Sequence, residues 1–321
     1  MPEPSLLPPV ADAAAWSAME LPESTYRDAV GVVAARHGLR VADAAKAVRG
    51  SSPVFLTAAH AFKLIPPPWL FELPRELLAL ERVHGRLPVR TPAVIASGHL
   101  DGWGYLVTER LDGVGLRELL PSLDSAGRAS IGRQVGEALA ALHEVPCADL
   151  ELLTVDWQAF AAERAEACIA FQRTHGLAPA AVAALPEMLA RGAPWVPDAR
   201  RALLHADLHH EHALVEAHGD GWRLTGIIDF GDAVVGHPEY DMLTPAFFVA
   251  GADPACLGAL FAGAGFSCDS TASHRLMAWS AMHRFNALAR FLPADHGADA
   301  LEDLRSRYWP VTRSASTSAA P

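Results

Sequence analysis

Five potential metal-binding or proton-handling groups fall within eight positions of the segment RALLHADLHHEHALV, residues 201–215. They are His205, Asp207, His209, His210 and His212, with Glu211 between the last two. Imidazole and carboxylate at this density suit a metal cluster, a catalytic loop that moves a proton, or a polar loop without special chemistry. A second segment, GIIDFGDAVVGHPEYD (226–241), ends an apolar strand on Asp229, followed by Phe230 and Gly231. A carboxylate at a strand end with a glycine behind it can hold a cation against phosphate. Asp207 precedes Asp229 by 22 residues, and two strands, 213–217 and 223–228, folded about the turn HGDGW would bring both acids to one rim. There position 207 can orient a substrate hydroxyl as a base and position 229 can hold Mg2+. That is the arrangement of phosphoryl transfer, in which positioning and charge neutralisation do most of the catalysis.

Taken together, HADLHHEH followed by IIDFGDA resembles the catalytic segments of the aminoglycoside phosphotransferase family, a branch of the protein-kinase-like fold. The family pattern is H-x-D-x-x-x-x-N, then I-D-[FW], then G-D-P-x-x-D. Here the last piece is Gly236-His237-Pro238-Glu239-Tyr240-Asp241, with His237 in place of the first Asp. The resemblance covers roughly residues 45 to 250. It implies an α+β fold of two lobes, a small β-rich one and a larger, mainly helical one. It also implies Asp207 as catalytic base, His205 as a structural residue of the catalytic loop, Asp229 as a magnesium ligand and Asp241 as a buried acid tying the loop down.

A lobe of this kind needs a lysine on a central strand for the α/β phosphates and a helix glutamate to orient it. Lys63, in the apolar run AFKLI, sits where that lysine belongs, and Glu76, in PRELLALERV, starts the following helix, with Glu72 and Glu81 as competitors. The three consecutive prolines 66–68 between Lys63 and that helix are not typical of the family. Ahead of the lysine strand, Gly50-Ser51-Ser52-Pro53-Val54-Phe55 resembles the short phosphate-cradling loop, so Ser51 and Ser52 are expected at the nucleotide. The connector Val107-Thr108-Glu109-Arg110-Leu111 takes the place of the hinge, which puts Glu109 and Leu111 beside the nucleotide base.

The family's usual Asn is His212 in this chain. Magnesium prefers oxygen ligands, whereas a neutral imidazole suits softer ions. His212 can bind metal directly, act through a water, or leave the second metal position weakened. The 2''-aminoglycoside kinases and the macrolide kinases also carry His here, and several use GTP, so the donor is expected to be ATP or GTP. His209, His210 and Glu211 read as solvated loop residues. A zinc hydrolase built on H-x-D-x-H leaves Lys63 and Asp229-Phe230-Gly231 unexplained.

The surrounding pattern supplies the elements these residues require. Helical spacing predicts a helix over 25–39, alternation about a turn predicts strands at Pro53–Thr57 and His60–Ile65, and a helix over 74–85 and two more strands around the Asp101-Gly102 turn follow. From Leu116 the texture turns helical, with Ile131, Val135, Leu139 and Leu142 on one stripe, and it is helical again after Tyr240. The expected organisation is an irregular N-terminal extension (1–24), a nucleotide-binding lobe (25–109), a catalytic and substrate-binding lobe (110–313) and a disordered tail (314–321).

The chain of 321 residues has a formal net charge of −11, which argues against nucleic acid as a partner and suits a cationic small molecule. Of the 26 basic residues only Lys46 and Lys63 are lysines. The four cysteines form no CxxC pair, no run approaches the roughly 18 apolar residues of a membrane span, and the start lacks the features of a secretory signal, so a cytoplasmic monomer is expected. For a polycationic acceptor the candidate carboxylates are Asp207, Asp232, Glu239, Glu163, Glu166, Asp295, Asp299, Glu302 and Asp303. A macrolide acceptor would draw instead on TPAFFVAGA (244–252) and Trp279. The Trp103-Gly104-Tyr105-Leu106-Val107 run looks most like the hygromycin-modifying kinases. A non-catalytic kinase-like binding protein is the other function class, and retention of Lys63, Asp207 and Asp229 argues against it. Affinity with the His-bearing branches predicts turnover with GTP, which a comparison of kcat/KM for ATP and GTP checks.

Overall fold

The computed structural model describes residues 5–48, 50–192, 200–284 and 286–312; the tail expected at 314–321 lies outside the described residues. Two compact units emerge, one of Met1–Val114 with Thr225–Ala233, the other of Gly115–Leu224 with Val234–Pro321.

The first unit is built on a five-stranded antiparallel sheet, β1 (Ala45–Lys46), β2 (Val54–Leu56), β3 (His60–Ile65), β4 (Val94–Leu100) and β5 (Trp103–Glu109), in the order β1-β2-β3-β5-β4. The period-two pattern decides which side chains enter its core. On β3, Phe62 and Leu64 are buried with Phe55, Trp103, Tyr105 and Val107, whereas Lys63 points the other way, paired with Leu106 and Val54. Two helices precede the sheet, α1 (Ala13–Ser17) and α2 (Glu23–Arg36), and α2 buries Tyr26, Val30 and Val33 in the same core. The stretch expected to be an irregular extension is tied down as well. Leu7 and Val10 are buried, the Trp103 indole donates to the Pro8 carbonyl at 2.8 Å, and Asp101 Oδ2 accepts the Leu6 and Leu7 N–H groups.

Between β3 and β4 lies α3 (Glu72–Val83), whose apolar face buries Leu73, Ala79, Leu80 and Val83. The segment Thr225–Ala233 joins this unit through Arg90, whose N–H reaches the Thr225 carbonyl at 2.9 Å and whose carbonyl accepts from Ile227 at 3.0 Å.

The second unit follows the two-residue strand β6 (Val114–Gly115). It contains α4 (Leu116–Leu119), α5 (Ser125–His143), α6 (Trp157–Thr174), α7 (Pro179–Gly192), the short strands β7 (Ala202–Leu204), β8 (Ala213–His218), β9 (Gly221–Ile227) and β10 (Val234–Gly236), then α8 (Leu243–Pro245), α9 (Pro254–Gly263), α10 (Ser270–Met282) and α11 (Ala300–Tyr308). β7 pairs antiparallel with β10, and β9 neighbours β8, as the HGDGW turn predicts. Asp124, Asp156 and Asp269 cap α5, α6 and α10 with their carboxylates on first-turn N–H groups. The predicted stripe of Ile131, Val135, Leu139 and Leu142 is buried on α5.

Helices α5 and α9 approach through glycines. A methyl on Gly136 would stand 2.2 Å from the Leu260 carbonyl oxygen, and one on Gly263 would stand 2.1 Å from that of Arg133. Both neighbours are backbone and cannot swing aside. Gly136→Ala is therefore expected to lower stability by about 1–3 kcal/mol, read as a lower urea midpoint at unchanged slope.

Candidate active site

The first unit assembles two carboxylates around one ammonium. Lys63 Nζ lies 2.9 Å from Glu76 Oε2 and 2.9 Å from Asp229 Oδ1. Strand alternation aims Lys63 away from the core, and the position of Glu76 within the buried face of α3 carries its carboxylate inward; Glu76 is 4 % exposed. The structure thus selects Glu76 over Glu72 and Glu81 as the lysine's partner. Asp229 arrives from the end of β9 with a left-handed backbone (φ 65) and keeps 40 % of its side chain exposed. Burial works against the charge on Lys63, but Asp229 and Glu76 outweigh it and hold the ammonium above its ordinary range. Burial pushes the Glu76 carboxyl up and Lys63 draws it back.

The remaining predicted nucleotide-side residues lie in the same unit. Gly50 has φ +125, Ser51 is exposed, and Ser52 is buried in the turn leading into β2, the strand paired with the lysine strand. At the connector, the Glu109 N–H donates to the Ala93 carbonyl at 2.8 Å, its carboxylate pairs with Arg90, and Leu111 is buried.

The second unit holds the loop that follows β7. Its Ala206 is left-handed (φ 64), a conformation that costs a non-glycine residue about 1 kcal/mol and persists only when the surroundings fix it. Asp241 does so. Oδ1 accepts the Ala206 N–H at 2.7 Å, and Oδ2 accepts the His205 N–H at 3.0 Å. His143, at the end of α5, donates to the same Oδ2 at 3.0 Å. From the other side His283 Nε2 reaches the Ala206 carbonyl at 3.5 Å. His205 is fully buried, and its Nδ1 accepts the Asp207 N–H at 3.3 Å.

His212 donates through Nδ1 to the Asp207 carbonyl at 2.8 Å, which places its lone pair on Nε2. His209 stacks on His212 with ring centroids 3.8 Å apart, and Asp207, His209 and His212 bring ligand atoms within 4.8 Å of one another. His209, His210 and Glu211, expected to be solvated, are engaged and half-buried. The Glu211 N–H donates to His209 Nδ1 at 3.0 Å, Glu211 pairs with Arg117, and the Arg117 N–H donates to the His210 carbonyl at 3.0 Å.

These donors can be weighed against Mg2+. The half-exposed carboxylate of Asp229 offers the kind of hard oxygen that magnesium prefers, whereas Nε2 of His212 suits a softer ion better.

Of the acceptor candidates, Glu239 has both oxygens on Arg275, at 2.6 Å from Nε and 2.6 Å from Nη2, so its charge is compensated within the protein. Asp232 is half-buried in the turn after Gly231. Trp279 is 2 % exposed, held among Trp157, Tyr240 and Phe160, and offers no surface to an acceptor. Sequence reasoning missed His143, His283 and Arg275. The first two lie 98 and 77 residues from the atoms they bond, and nothing in the local pattern marks them.

A family model described as "Phosphotransferase enzyme family" matches residues 43–279, well over half of the chain. The chain belongs to this phosphotransferase family. Among solved structures, the GDP complex of wild-type aminoglycoside 2'-phosphotransferase-IIIa is similar at TM-score 0.67 and 17% identity, over 87% of this chain and 98% of that one. The streptomycin–ATP–APH(2")-IIa ternary complex is similar at 0.59 and 16%, over 88% and 99%. Macrolide 2'-phosphotransferase from Brachybacterium faecium, as the apoenzyme, is similar at 0.55 and 23%, over 89% and 100%. At these identities the likeness shows the fold, which is the two-lobed α+β fold of protein-kinase-like phosphotransferases.

Burial lowers the His283 imidazole of this phosphotransferase to about 4 from its ordinary 6.5. The unfolded chain therefore binds the extra proton first. The stability this group contributes is present above pH 6.5 and is lost as pH falls toward 4. The expected loss over that window is about 3 kcal/mol. In His283→Gln that part of the pH dependence should vanish from urea midpoints measured between neutral pH and the acid end.

Proposed function

We propose that this phosphotransferase moves the γ-phosphate of ATP or GTP to a hydroxyl of a cationic small molecule of the aminoglycoside class. The observation that carries the reading is Lys63 held between Glu76 and Asp229, a charge set suited to a nucleoside triphosphate. In the reaction, Asp207 orients the acceptor hydroxyl and takes its proton. The hydroxyl oxygen forms a bond to the γ-phosphorus as the bond to the bridging oxygen breaks, and the nucleoside diphosphate leaves with that electron pair. Lys63 compensates the α/β phosphates, Ser51 and Ser52 lie along them, and Glu109 and Leu111 flank the base. Asp229 and His212 are the residues that would hold magnesium, which would supply charge compensation on the phosphates. His205 and Asp241 hold the loop that presents Asp207.

A cavity of about 600 Å³ in the second unit supports a cationic acceptor. Its lining includes Asp295, Asp299 and Asp303 together with His296 and Arg307, a net acidic set. Phe291, next in sequence to Leu292 of the lining, packs on Phe248 with centroids 5.5 Å apart, and Phe248 meets the His209 and His210 rings at 6.1 and 5.9 Å. The acidic cavity therefore lies one aromatic pair from the loop of the base. Antibiotic resistance is the role such a transfer would serve, and a cytoplasmic monomer, with no nucleic-acid partner, is the form expected to carry it out. No helix among the described residues is long and apolar enough to cross a membrane.

A screen for ADP and GDP release against aminoglycosides, macrolides and small amino alcohols tests the reading. Turnover is expected with a polycationic sugar. Asp207→Ala should reduce kcat by about 10³-fold while leaving nucleotide affinity within about threefold. Changing Asp295, Asp299 and Asp303 together to Asn should raise KM for a polycation and leave a macrolide unaffected. Nucleotide binding without diphosphate release across the whole panel would favour a binding protein instead.

A further inference from the structure

Helix α3 grips the loop that follows Asp229 at two points. Its Glu76 carboxylate, already on Lys63, also accepts the Phe230 N–H. One residue earlier, Arg75 Nη2 donates to the Ala233 carbonyl at 3.0 Å. Between these ties the Ala233 N–H turns back onto the Phe230 carbonyl at 3.0 Å, so residues 229–233 form a closed turn with both ends bonded to one helix. Asp229, at the head of that turn, has the left-handed φ of 65, which an unrestrained aspartate would leave.

The helix is itself anchored. Pro66 (φ −67) and the 3₁₀ turn Pro67–Trp69 lead into it, and each proline fixes one backbone angle. Leu70 and Leu73 close over Gly104 of β5, so that a methyl there would lie 3.0 and 3.2 Å from their Cδ2 atoms. The triple proline that is untypical of the family thus acts as a strut between β3 and α3.

We propose that Arg75 is a positioning residue for phosphoryl transfer, latching the 229–233 loop to α3 so that Asp229 is presented to the metal before the nucleotide arrives. The proposal rests on the reading of Asp229 as a cation ligand given above. A hydrogen bond from a guanidinium in a partly buried setting is among the stronger neutral-acceptor bonds, and its loss is worth roughly tenfold or more in an equilibrium.

The test measures ADP binding calorimetrically with Mg2+ and with EDTA. The ratio of the two affinities reports how well the loop presents its acid. Arg75→Met is expected to lose about tenfold of the magnesium-dependent gain, with ADP affinity in EDTA and the acceptor KM both within twofold of the parent. Arg75→Lys, which can still reach the Ala233 carbonyl, should recover most of it. Arg75→Met that lowers the melting temperature yet keeps the full gain would overturn the proposal, since a purely structural role moves only stability. So would an Arg75→Lys variant that folds and behaves as Arg75→Met does. Asp229→Asn separates the two layers. If it retains the magnesium-dependent gain, the reading of Asp229 fails and the latch falls with it. If it abolishes the gain while Arg75→Met does not, only the latch is wrong.

Discussion

An ammonium taken out of water is unfavourable by several kcal/mol unless it is paired. Lys63 is paired twice, with carboxylates 2.9 Å away on either side. That single arrangement fixes the relation between a central strand, a helix and a loop that are otherwise remote in sequence. Two negative groups on one positive group leave a surplus negative charge, and the exposed carboxylate of Asp229 is where that surplus meets solvent. The site is thus electrostatically incomplete on its open side, which is the condition under which a further cation is welcome. The trio suits the compact charge of a lysine. The planar fork of a guanidinium would not sit as a point charge between two oxygens.

The second unit solves a different problem with a similar device. The loop before Asp207 adopts a backbone that alanine disfavours, and a nearly inaccessible carboxylate, Asp241, takes the two adjacent N–H groups. Buried acids of this kind are tolerable because both oxygens find donors, here including His143. The histidines of the opening segment divide accordingly. His205 closes onto the backbone, His209 and His212 stack beside Asp207, and His210 and Glu211 are tied to Arg117 and its backbone. The abundance of imidazole is a property of the loop's packing more than of a metal cage.

Much of this was legible from residue types at fixed spacing, because the chemistry constrains them. Lys63 stands out by its place in an apolar strand-like run, and the hairpin between the segments of Asp207 and Asp229 by the turn HGDGW. What stayed hidden depends on contacts between distant segments. Nothing local distinguishes Glu76 from Glu72 or Glu81, since the choice belongs to the face on which α3 packs. Glu239 looks like an open carboxylate until Arg275, on a later helix, covers both oxygens. Trp279 looks like a binding-site aromatic until the cluster around Trp157 encloses it. The extension at the N-terminus looked irregular because its tether, Asp101, lies on a turn some ninety residues further on.

The first unit is discontinuous in the chain, since Thr225–Ala233 belongs with Met1–Val114. A chain growing from its N-terminus therefore completes the sheet and α3 long before the third charge exists, with 166 residues separating Lys63 from Asp229. Until that segment arrives, Lys63 has only Glu76 for company and the groove beside Arg90 lacks its strand. Closing so long a loop is slow relative to local pairing. The lobe that reads as an independent domain thus cannot be excised at residue 114 and keep its charge set. Its final folding step waits on most of the second unit having been made.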